Sequence, residues 1–242
     1  MKTLNCFMPI CLILIFAGIL HAQTLSPKTA FKDDPQSHNM HLASDGKFLY
    51  TCNGGKAELG QITKFRLDGT KIASYKIKLD MRSLMYNKSD GNFYVNTYNH
   101  KFYKINDLKL GSYSEIYDFA DRNEQSVPAL SANGKEIYFM ESGDVFIYSL
   151  KKGRLISTFS GLRTPGNAAD GGTTIAVNKK HIYTWNAGEQ TVNVYDINGK
   201  FQKSVKLSQG NYGFSLSFAN GMLWVSADGN YDEGTWYGYV IK

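Results

Sequence analysis

Six charged residues are the first candidates for chemistry in this chain: Asp121, Glu124 and Asp170 against Arg82, Arg122 and Arg163. Converging carboxylates can move a proton or ligate a metal, and guanidiniums beside them can hold negative charge; scattered over a surface they form only ion pairs. Tyr212, Asp232 and Trp236, in or beside two loops near the C-terminus, complete the ligand-binding candidates. The stretch 228–234, DGNYDEG, offers oxygens at alternate positions, as Ca²⁺ sites do. An EF-hand needs glycine where Glu233 stands and a later bidentate Glu, so a solvated hairpin loop is the reading. His38 and His41 lie three apart in an extended segment and point to opposite faces, which makes them poor co-ligands. His100 falls on a turn and His181 at a strand start. No His/Cys cluster has zinc spacing, and neither a G-x-S-x-G elbow nor a phosphate loop occurs. The expectation is therefore no cofactor, with a divalent cation as the alternative.

The elements that must position these residues repeat. The clearest unit, residues 181–207, has three strand-like runs split by turn residues. Ile182-Tyr183-Thr184-Trp185 and Val192-Asn193-Val194-Tyr195 are β-branched and aromatic, and Asn198-Gly199 suits a tight turn. One aromatic recurs in the second strand of each unit, at Tyr50, Tyr94, Tyr138, Tyr183 and Trp224, in steps of 44, 44, 45 and 41 residues. Another recurs in the third, at Phe65, Tyr103, Tyr148, Tyr195 and Tyr239, in steps of 38, 45, 47 and 44. Two markers near one period of about 40–50 residues, with four strands per unit, predict an all-β propeller. The aromatics are expected to pack between blades.

Five blades fit, at about 40–79, 82–119, 126–162, 173–207 and from 214 to the C-terminus. The fifth lacks an outer strand, and an open blade exposes a sheet edge. Residues 24–32 are expected to supply that strand and close the ring. The long loops (53–60, 120–125, 162–172, 208–213 and 227–235) all fall in the fourth-to-first or second-to-third classes, which share one face. Long loops on a rigid scaffold carry function more often than tight turns do, so that face is the expected binding surface.

Met1-Lys2, an apolar run at 7–20 and Ala22 before the expected cut describe a secretory signal peptide at 1–22. The remainder, 23–242, is expected to be one domain, exported to the periplasm or beyond the cell, with no membrane span after cleavage. It keeps a single cysteine, Cys52, so no intrachain disulfide can form. Cys52 lies two residues after Tyr50 on a buried strand, where it acts as a small apolar side chain. Losing Lys2 lowers the formal net charge from +6 to about +5. The lysines are scattered, with Lys151-Lys152 and Lys179-Lys180 the longest runs, so no nucleic-acid footprint is expected.

VNVYDINGK at 192–200, ITKFRLDGTK at 62–71 and the strand start at 134–138 together resemble the NHL and YVTN families of exported bacterial propellers. The resemblance implies a propeller fold over nearly all of the chain after the leader. Gluconolactonase-like relatives hold a divalent metal through Glu, Asn and Asp in the channel; that set cannot be placed here. Relatives usually have six or seven blades, against room for five. The expected function is a non-enzymatic binding module whose partner is a protein, a small molecule or a glycan. The alternatives are a metal-dependent hydrolase or lyase on a small sugar-like or lactone substrate, and a lectin. The five second-to-third-strand loops differ in length and content, which lowers the lectin reading.

Overall fold

The computed structural model describes residues 24–241; the leader expected at 1–22 lies outside them. Two short strands, β1 (Thr24–Leu25) and β2 (Thr29–Asp33), precede the first complete blade. Blade 1 is β3 (His38–Ser44), β4 (Leu49–Gly54), β5 (Gln61–Phe65) and β6 (Lys71–Lys76). Blade 2 is β7 (Met81–Asn87), β8 (Asn92–Thr97), β9 (Lys101–Asp107) and β10 (Ser112–Asp118). Blade 3 is β11 (Ala129–Leu130), β12 (Glu136–Glu141), β13 (Asp144–Ser149) and β14 (Leu155–Phe159). Blade 4 is β15 (Ile175–Val177), β16 (His181–Asn186), β17 (Thr191–Asp196) and β18 (Phe201–Leu207). Blade 5 is β19 (Ser217–Ala219), β20 (Met222–Ala227) and β21 (Gly234–Tyr239), completed by β2. The result is a five-bladed β-propeller of four-stranded antiparallel sheets.

The N-terminal segment closes the ring, but not in one piece. β2 pairs antiparallel with β21, Phe31 opposite Trp236. β1 instead pairs parallel with β18 of blade 4, Thr24 opposite Lys206. Pro27, between them, has no N–H to give a ladder, and the strand breaks there. The seam is then sealed by aromatic packing: Phe31 lies 4.7 Å from Phe65 of blade 1 and 5.7 Å from Trp224.

The repeated aromatics do more than fill space. All ten are buried, and most also hold a loop. On the second strand, Tyr50 and Tyr94 donate to Asp45 and Asp90 of the preceding turn at 2.8 and 2.6 Å. Tyr183 accepts from Asn178, and Trp224 donates to the Ala219 carbonyl. On the third strand the bond runs to the other face. Tyr148 donates to Asp121, Tyr195 accepts from the Arg163 N–H, and Tyr239 exchanges two bonds with the Gln209 backbone. Each of these three ties down the crossover that enters its own blade. Cys52 is buried on β4, where burial pushes its thiol pKa up.

The inner strands β3, β7, β11, β15 and β19 each end a sheet, so their free edges face the channel. At the long-loop end they converge: Val127 forms a parallel bridge with Thr174, and its N–H bonds the Thr173 carbonyl at 3.0 Å. At the tight-turn end they part and leave a cavity of about 380 Å³. The channel's open mouth therefore lies opposite the face that carries the long loops.

Candidate functional site

Two crossovers lack the tyrosine clamp. Blade 1 has Phe65 at that position, with no hydroxyl, and Tyr103 of blade 2 makes no such bond to its crossover among the described residues. Carboxylate-centred side-chain pairs do the work there, and they form the candidate site at the long-loop end, beside the seam.

At the entry to blade 1, the Asp228 carboxylate, from the loop between β20 and β21, accepts from His38 Nδ1 at 2.6 Å. Its second oxygen accepts the Asn39 N–H at 2.8 Å. An imidazole held through Nδ1 keeps Nε2 as its position for proton transfer. At the entry to blade 2, Asp80 accepts the Gly55 N–H at 2.7 Å and pairs with Arg82 at 3.1 Å. The Arg82 side chain is only 8% exposed, its Nε has no hydrogen-bond partner among the described residues, and its guanidinium lies 4.8 Å from the Tyr98 ring centroid.

The two pairs share neighbours. Tyr212 stacks on His38 at 5.7 Å, and its hydroxyl lies 3.4 Å from the Met40 sulfur. Arg82 Nη1 reaches the same sulfur at 3.9 Å. Tyr231 meets the His38 ring edge-on at 5.0 Å. Gly55 has φ +106°, and a Cβ there would come within 2.9 Å of His38 Cδ2, so the site needs glycine. Burial, then the nearby Asp228 carboxylate, raise the Tyr212 pKa. Ser37 donates to the Gly54 carbonyl, and Tyr98 to Glu124 at 2.6 Å. Three carboxylates (Asp80, Asp228 and Glu124) thus sit among tyrosines with one buried cation, Arg82, and an exposed one, Lys56, 5.2 Å from the Tyr231 ring.

Of the nine residues singled out from sequence, Arg82, Tyr212 and, through Tyr98, Glu124 come together here. Asp121 and Arg122 sit apart, between blades 2 and 3: Arg122 lies 3.6 Å from the Phe146 ring centroid and pairs with Asp121 and Glu141 at 3.4 Å each. Arg163 is exposed, 3.9 Å from the Phe201 ring, and its backbone anchors Tyr195 and Thr184. Asp170 caps its own loop with Asn167, and Asp232 is exposed and accepts the Glu233 N–H. Trp236 is fully buried in the seam and donates to Asp33 at 3.2 Å. Asp228, Asp80 and His38 were missed as a set. Phe65, where other repeats carry a tyrosine, signals the His38–Asp228 entry to blade 1; nothing in the repeat signals Asp80, since blade 2 keeps its tyrosine, Tyr103. Among the described residues, no group of three or more His, Cys, Asp or Glu is placed to hold a metal ion. No helix among them is long and apolar enough to cross a membrane.

Fold and site together define a five-bladed propeller with a polar, aromatic-lined patch at its seam. Among solved structures it is similar to the glutaminyl cyclase of Myxococcus xanthus, at TM-score 0.63 and 8% identity, over 91% of this chain and 100% of that one. A streptogramin B lyase matches at TM-score 0.44 and 14% identity, over 83% of this chain and 65% of that one. Apo AztD from Citrobacter koseri matches at TM-score 0.41 and 12% identity, over 74% and 49%. No protein-family model and no curated protein matches the chain.

Proposed function

We propose that this chain is an exported ligand-binding propeller whose site is the seam patch at the long-loop end. The observation that carries the reading is the break in the repeat: where the scaffold alone would use a tyrosine clamp, the seam places Asp80, Arg82, His38 and Asp228 under an aromatic collar. An excess of carboxylates over fixed cations, faced by Tyr98, Tyr212 and Tyr231, favours a ligand that carries an amine. Arg82 Nε–H and the His38 ring supply donor and acceptor for its polar groups.

A second reading, catalysis, is favoured by the His38–Asp228 pair. A carboxylate that fixes Nδ1 orients the imidazole to take a proton at Nε2. The Myxococcus protein is named a glutaminyl cyclase, which makes a peptide with N-terminal glutamine the substrate to try first. The same peptide tests both readings. Calorimetry with its free and N-acetylated forms should show the acetylated form at least about ten-fold weaker. Asp228→Asn and Arg82→Gln should each weaken the free form. Equal binding of the two forms, or of wild type and both variants, removes the amine-site reading. Ammonia release that is lost in His38→Gln while binding persists selects the enzyme; binding without turnover selects the non-enzymatic module.

A further inference from the structure

The cavity of about 380 Å³ at the tight-turn end belongs to neither reading. Its volume is within the span of small-molecule pockets, about 300–1,000 Å³. All five inner strands line it with small or apolar side chains just inside the rim. Most polar side chains at the rim are already engaged. Asn87 donates to the Gly134 carbonyl, Ser44 to the Phe48 carbonyl, and Asn178 to Tyr183. Among the described residues the lining includes Lys88 and Lys179, both exposed at the rim, and no Asp or Glu.

At the inner end stands His41. Its Nδ1 lies 2.8 Å from the Leu84 carbonyl, which can only accept, so Nδ1 carries the hydrogen. Burial holds the ring neutral, with its pKa lowered to about 4. Nε2 is then a lone-pair acceptor, and it is buried without a partner among the described residues, a costly state unless something donates to it. From His41 to Ser44 the strand climbs roughly 10 Å, at about 3.3 Å per residue.

We infer that this cavity is a second binding site, for a small organic acid with an apolar body and a hydroxyl at the end far from its carboxylate. The hydroxyl donates to His41 Nε2, the body lies along the apolar wall, and the carboxylate faces Lys88 and Lys179. About 10 Å suits a chain of roughly eight carbons.

Three matched probes test this by calorimetry on the full chain: 8-hydroxyoctanoate, octanoate, which lacks the hydroxyl, and 1,8-octanediol, which lacks the carboxylate. Saturable binding of 8-hydroxyoctanoate is expected, with both others at least about ten-fold weaker. Its affinity should fall on adding salt. The double variant Lys88→Gln/Lys179→Gln should weaken it by about ten-fold or more. His41→Phe, which removes the acceptor, should weaken it to the level of octanoate; should that variant fail to fold, Ala132→Trp, at an exposed rim position, is expected to block entry in an intact propeller. No saturable binding of 8-hydroxyoctanoate overturns the inference. So does equal binding of octanoate, or binding unchanged by the double-lysine and Ala132→Trp variants. Loss in Arg82→Gln but not in the rim variants assigns the acid to the seam patch and overturns it equally.

Discussion

The two ends of the channel are built from the same five inner strands and have opposite characters. At the long-loop end the strands converge until two of them bridge, and the surface above carries interlocked acids, an arginine and tyrosines. At the tight-turn end they part, the turns satisfy their own polar groups, and a cavity remains whose only formal charges, among the described residues, are two lysines. Crossovers of varied length are free to bring in side chains from far along the sequence. A two-residue turn is nearly all spent on making the turn, so its end of the ring is shaped by backbone spacing. Chemistry at one end is therefore assembled from distant residues, and at the other it is inherited from the repeat.

Truncation separates a packed end from an open one with the largest effect. Leu216, just before β19, is fully buried, whereas Leu130 on β11 is partly exposed and lines the cavity. Leu216→Ala should cost about 2–5 kcal/mol, since the hole it leaves cannot fill. Leu130→Ala, which removes less buried surface, should cost about 1 kcal/mol. Urea midpoints at constant slope measure both. Equal losses mean that the tight-turn end is as tightly packed as the other.

Two buried titratable groups should bend the stability curve in opposite directions. His41 has its folded pKa lowered to about 4, below that of the unfolded chain. The stability linked to it is present above about pH 6.5 and lost as pH falls towards 4, with a limit on the order of 3 kcal/mol. His41→Gln should flatten that slope. Asp33, at the end of β2 beside the seam, has its pKa raised, chiefly by burial, against hydrogen bonds that include Trp236. Its folded pKa lies above the unfolded one, so its contribution is whole below about pH 3.9 and is lost as pH rises through the folded value. Asp33→Asn keeps an acceptor for Trp236 and should raise the melting temperature at pH 7. A fall there means the carboxylate is needed charged.

The sequence made the scaffold legible because each blade repeats its own local rules. Asp-Gly and Asn-Gly turns, β-branched runs and the aromatic markers act within a few residues of one another. The missing fourth strand of blade 5 also pointed to the N-terminal segment, although Pro27 divides that segment between two blades. The site was far less legible. His38 and Asp228 meet across 190 positions, and no local pattern encodes such a pair. Long loops pointed to the right surface for Arg82 and Tyr212. The same argument also drew in Asp121 and Arg163, which anchor crossovers, and Trp236, whose place on β21 turns it into the seam.

The smallest expected effect sharpens the comparison most. Lys179 is exposed at the rim, and the neighbouring Asn178 holds the turn through the Lys180 and His181 N–H groups at 2.8 Å each. Lys179→Gln should therefore leave stability within about 0.5 kcal/mol of wild type. Asn178→Ala, by contrast, removes the acceptor for both N–H groups and the donor to Tyr183, and should cost about 1–3 kcal/mol. Melting curves of the two variants side by side check the difference. If the turn residues belong to the scaffold and the rim lysines do not, the lysines are free to serve a ligand. A clear loss in Lys179→Gln makes the lysine part of the turn and takes that freedom away.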